Sequence, residues 1–141
     1  MKKIYTAVIL ISFLLAFGCS KDFLKSYDRR IIGTWRITDI NKTGFGGDTG
    51  NLPFQEGQFT FREDGTLTYV NSAGTTYQGT WNIEKKNYDE TVYRSVDITV
   101  VNFTNQLVLG EYYDEINFTG TDHFKARINS GLHTYITHFR R

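Results

Sequence analysis

The chain is poor in the residues that staple or break small folds, with one cysteine and one proline among 141 residues. A single thiol makes no internal disulfide, so a disulfide-stapled scaffold is excluded. Charge of one sign is missing too. Sixteen Lys and Arg stand against 15 Asp and Glu, a formal net charge of +1, with the two signs interspersed. That balance carries no electrostatic footprint for DNA or RNA, so no nucleic acid is expected as a partner. Only one long apolar run occurs, residues 4–17, and it falls short of the roughly 20 apolar residues that a spanning helix needs. What the chain has in quantity is aromatic and small: 11 Phe, 9 Tyr, 2 Trp and 13 Gly. A length of 141 residues accommodates one domain.

The N-terminus reads as a targeting segment. Lys2 and Lys3 precede the apolar run, and small residues follow before Cys19. This is the layout of a secretory signal peptide over residues 1–18, cleaved on export. Leu15-Ala16-Phe17-Gly18-Cys19 resembles the bacterial lipobox, in which the cysteine takes a diacylglyceryl group through sulfur and becomes the acylated N-terminus. The resemblance implies lipidation at Cys19, with palmitate-type chains that hold the mature protein on the membrane. Ser20 after the cysteine resembles the Gram-negative sorting signal for the outer membrane, on its periplasmic face or at the cell surface. Residues 19–30 are then an acylated N-terminus and tether, with one helical turn expected at 23–27.

From residue 31 the composition changes to short Thr-, Val-, Ile-, Phe- and Tyr-rich segments separated by Gly, Asn and Asp. The domain at 31–141 is therefore expected to be all-β. Period-two reading places the first strand at 31–40, with Gly33, Trp35 and Ile37 on one face. A glycine-rich loop follows at 41–57, long enough to be a lid. Residues 58–63 and 66–70 form a hairpin around Asp64-Gly65. The next strand, 75–84, alternates Tyr77, Gly79, Trp81 and Ile83 against Thr76, Gln78, Thr80 and Asn82. A polar turn at 85–87 leads to a strand at 92–101 with Val96, Ile98 and Val100 on one face. Residues 107–109 and 112–119 read as one irregular strand with a bulge or bend at Gly110, and strands at 123–129 and 132–140 complete a set of eight. Tight turns and a single long loop favour an eight-stranded antiparallel up-and-down barrel over a sandwich.

Gly33-Thr34-Trp35 in the first strand is similar to the G-x-W motif of lipocalins, and Gly79-Thr80-Trp81 after Phe59, Phe61 and Asp64-Gly65 resembles the small bacterial lipocalin-like lipoproteins. The resemblance covers most of 31–141 and implies an arginine from the end of the barrel lying across Trp35. The matching position is Arg140 or Arg141, and Arg140 is taken as the barrel-closing residue with Gly33 and Trp35. The chain departs from full-length lipocalins in lacking a C-terminal helix and the usual disulfide cysteines. The resemblance also implies a small hydrophobic ligand, with Trp35, Phe59, Phe61, Tyr69, Tyr77 and Trp81 as candidate walls. These are bulky side chains, and a barrel filled by them is the alternative. In that case the domain serves as a protein-interaction or inhibitor lipoprotein in a surface complex, with Phe45, Leu52 and Phe54 displayed on the long loop.

Residues for catalysis are sparse. His133 and His138 fall on opposite faces of one strand and His123 on the one before, so no three metal ligands converge by spacing. Asp89-Glu90 and Asp114-Glu115 are adjacent carboxylates that point opposite ways and read as solvated turns. There is no G-x-S-x-G elbow and no phosphate-binding glycine loop opening a helix. No enzyme, no cofactor and no metal site is expected.

Overall fold

A computed structural model of the chain describes residues 26–44 and 52–141. The expected signal peptide at 1–18, Cys19 and Phe45 lie outside the described residues. A five-residue helix, α1 (Tyr27–Ile31), sits a little later than the turn expected at 23–27 and leads into nine strands. These are β1 (Gly33–Gly44), β2 (Gln58–Phe61), β3 (Thr66–Val70), β4 (Thr76–Tyr88) and β5 (Thr91–Asn102), then β6 (Leu107–Tyr113), β7 (Glu115–Phe118), β8 (His123–Ser130) and β9 (His133–Arg140). All pairings are antiparallel. The strands form one sheet in the order β6-β5-β4-β3-β2-β1-β9-β8-β7. Apart from the β6–β7 step, each strand pairs with the next in sequence, and β9 returns to pair with β1.

Two expectations are corrected here: among the described residues the strands number nine, and the sheet is not closed into a barrel. Both follow from the stretch at 107–119. A closed eight-stranded barrel needs this stretch to bond neighbours on both sides along its length. Instead β6 pairs only with β5, ending at Tyr113 opposite Val96, and β7 pairs only with β8, starting at Glu115 opposite Arg127. The break falls at Asp114, while Gly110 keeps regular register opposite Thr99. The Asp114 carboxylate accepts the Asn129 N–H at 2.6 Å, so a side chain takes a backbone donor that a ladder would otherwise use. β7 packs beside β5, and β6 beside β8, without joining them in a ladder.

Elsewhere the alternation in sequence becomes alternation in burial. Phe59 and Phe61 of β2, Leu67 and Tyr69 of β3, and Val96, Ile98 and Val100 of β5 are all buried. β1 runs four residues beyond its expected end, with a bulge between Ile37 and Asp39. One extra residue shifts the inward parity, so Ile40 follows Ile37 against the core. The turn expected at 85–87 is strand, and the reversal comes at Asp89 and Glu90, both at positive φ (40° and 63°). Two central residues at positive φ match the type I′ turn, whose twist suits long paired strands.

The core is aromatic. Phe124 and Phe139 stack at 4.3 Å, and Trp35 meets Phe124 edge-on at 4.7 Å. Phe54 arrives from the segment before β2 and inserts between Phe59 (5.2 Å) and Tyr69 (4.9 Å), fully buried. It is not displayed on a loop as the interaction reading supposed, and Leu52 packs partly buried against the core. Burying a ring of this kind contributes about 2–3 kcal/mol, enough to hold residues 52–57 against the sheet.

Candidate functional site

Three places in the fold bear on function: one end of the sheet, the interior, and an outer cleft. At the end where α1 meets β1, the indole of Trp35 is fully buried and its Nε1–H donates to the Ile31 carbonyl at 2.6 Å. The guanidinium across its face belongs to Arg141, 4.3 Å from the ring centroid, and donates to the carbonyls of Arg30 (2.6 Å) and Ile32 (2.8 Å). Arg140, the residue taken for this role from sequence, is an exposed β9 position opposite Arg36 and His123. Gly33 holds φ +122° beneath Arg141, where a side chain would be strained. Tyr27 and Arg30 of α1 cover Phe118, edge-to-face at 5.2 Å and by cation–π contact at 4.4 Å.

Of the six side chains expected to line a ligand cavity, five are packed on one another, and Trp35 packs instead on Phe124 and Phe118. Ring centroids lie at 4.6 Å for Phe59–Tyr69, 5.5 Å for Tyr69–Tyr77, 5.7 Å for Phe61–Trp81 and 6.1 Å for Phe59–Phe61. Trp81 is the least enclosed of the six. It is partly buried, and its Nε1–H donates to the Arg62 carbonyl at 3.0 Å. The Tyr69 hydroxyl donates to the Glu56 carbonyl at 2.7 Å, and burial, with Tyr77 and Glu56 nearby, pushes its pKa up to about 12. Tyr113 is pushed well above the usual phenol range by burial. Glu111 shares the inner face of β6 with Tyr113, and burial raises its carboxyl against the opposing effect of the Tyr112 N–H.

The third place is a cleft of about 700 Å³ on the outside of the open seam. It exists because β6 pairs with β5 only from Val96 onward, so the far half of the β4–β5 hairpin overhangs β7 and β8. One wall carries Lys86, Tyr88 and Tyr93, with Lys86 directly opposite Tyr93 in the ladder. The other carries Asp114, Glu115, Arg127 and Asn129. Arg127 is ion-paired to Glu115, and Lys86 donates to the Tyr112 hydroxyl while lying 4.7 Å over its ring. Its charges therefore balance, two cations against two carboxylates. Smaller grooves of about 320 and 380 Å³ lie beside Glu56 and Arg140. Sequence reasoning missed the cleft because its walls come from separate elements that no spacing links. The one available signal was the Asp114-Glu115 pair, read as a solvated turn.

The histidines do not converge. His123 bonds Asp122 at 2.7 Å, which holds that carboxyl below its ordinary value, and His138 bonds Asn41 at 3.1 Å. Among the described residues no group of three His, Cys, Asp or Glu is placed to hold a metal ion, and no helix is long and apolar enough to cross a membrane. Compared with protein-family models, curated proteins and solved structures, the chain finds no match.

Proposed function

We propose that this chain is a lipid-anchored, non-enzymatic binding module of the bacterial envelope, lipocalin-like in pattern, that works from its outer surface. The observation that carries this reading is the interior: Phe59, Phe61, Tyr69 and Tyr77 are buried against one another, with Phe54 inserted beside them. Rings in mutual contact occupy volume that an enclosed apolar ligand would need. The Gly33, Trp35 and Arg141 arrangement supports the lipocalin-like part of the reading. The Cys19 lipobox supports the anchor and an outer-membrane location. A protein or glycan partner outside the sheet is then the target.

The test is the native mass of the chain purified from a Gram-negative envelope, before and after organic extraction. The acylated polypeptide alone is expected, unchanged by extraction. An extractable adduct of roughly a few hundred daltons, the size an apolar pocket holds, would instead establish the enclosed small hydrophobic ligand. Palmitate labelling checks the anchor: label on the native chain is expected to be lost in Cys19→Ser, together with membrane retention.

A further inference from the structure

We infer that the outer cleft between the β4–β5 hairpin and the β7–β8 face is a binding site for a short, uncharged glycan. The inference rests on the surface-acting reading above and deepens it. A cleft of about 700 Å³ is within the range that holds a small organic ligand. Three features select its chemistry. The first is charge: Lys86 and Arg127 offset Asp114 and Glu115, so neither an anion nor a cation finds a net field. The Arg127–Glu115 pair already satisfies each of these charges with the other.

The second is aromatic surface. Tyr88 is 71% exposed, and with Tyr93 it forms one wall of the cleft. An exposed tyrosine ring gives a flat apolar face with a hydroxyl at its edge, matching a sugar ring whose C–H face is apolar and whose rim carries hydroxyls. The third is hydrogen bonding. Carboxylates accept, the guanidinium and ammonium donate, and the Asn129 amide does both, which is the mixed inventory that vicinal hydroxyls need. The seam explains why the site lies here. A closing ladder would have drawn the hairpin against β7 and β8, whereas the break at Asp114 leaves the two walls apart.

The experiment is retention of the full chain, in detergent micelles, on an array of neutral oligosaccharides printed beside uronic-acid and sialylated ones. The native chain is expected to retain neutral oligosaccharides in preference to acidic ones. Tyr88→Ala and Tyr93→Ala are expected to weaken that retention about tenfold each, as loss of an aromatic stacking surface does. Tyr88 is exposed enough that its truncation leaves the fold intact, and circular dichroism of both variants checks this. Lack of retention of every neutral oligosaccharide would overturn the inference. Preference for acidic glycans, or retention unchanged in both tyrosine variants, would do the same. An extractable interior adduct in the native mass would instead count against the surface-acting reading, so the two failures are distinguishable.

Discussion

At the scale of single residues, two neighbouring arginines have different roles. Arg141 lies over Trp35 and donates to two carbonyls next to α1, while Arg140 is exposed on β9. Arg141→Ala should therefore cost about 1 kcal/mol in urea unfolding, the size of a partly exposed cation–π contact, and Arg140→Ala close to nothing. Equal effects would remove the structural basis for the distinction. Glu111 makes the opposite kind of prediction. Burial raises its folded pKa, so the protonated form is the one the fold favours, and that stabilisation is lost as pH rises through the raised value. At neutral pH the charged carboxylate is a cost. Glu111→Gln is expected to raise the unfolding midpoint at pH 7 and to flatten its decline as pH rises through the carboxylate range. A lower midpoint at pH 7 would show that the carboxylate has a compensating partner.

Among elements, the β3–β4–β5–β6 region shows how similar residues come to differ by context. Gly79 and Gly110 both sit in strand interiors opposite β5, at Val100 and Thr99. A Cβ on Gly79 would run into the Thr99 carbonyl, whereas one on Gly110 would stand 3.7 Å from its nearest neighbours. Gly79→Ala should destabilise by about 3 kcal/mol through overpacking, and Gly110→Ala should stabilise by about 0.5 kcal/mol by lowering the entropy of the unfolded strand. Thermal melts of the two variants moving in the same direction would contradict this. The β4–β5 hairpin was legible as two alternating strands, yet its turn was placed too early. Lys85, Lys86 and Asn87 look like turn residues by composition, but the ladder continues to Tyr88 because Asp89 and Glu90 adopt the positive φ values that complete the reversal. The 41–57 loop was likewise misjudged at both ends, where β1 runs on to Gly44 and Phe54 is core.

On the scale of the whole molecule, the sheet has two unpaired margins, β6 and β7, and a middle formed by β1 to β3 that is bonded on both sides. Local opening should follow that gradient. Amide hydrogen exchange is expected to be slowest in β1, β2 and β3 and fastest at the β6 amides that point away from β5. Equal protection of β6 and β2 would mean that the seam closes in solution. An unpaired margin is also where a β-protein can meet other molecules, so the proposed anchor, the seam and the outer cleft fit the proposal of a tethered surface binder.

The all-β class, the strand positions from 58 to 70 and the inward faces of Trp35, Phe59, Phe61, Tyr69, Tyr77, Val96, Ile98 and Val100 were determined by sequence alone. Period-two alternation and Asp64-Gly65 act between near neighbours, and a one-residue slip would turn every one of these side chains outward. The tertiary structure decided the rest. It assigned Arg141 to Trp35, drew Phe54 inside, and divided residues 107–118 between two partners at Asp114. Each of these depends on which surfaces meet in space, whether from opposite ends of the domain or from the next strand, and local periodicity carries no record of such meetings.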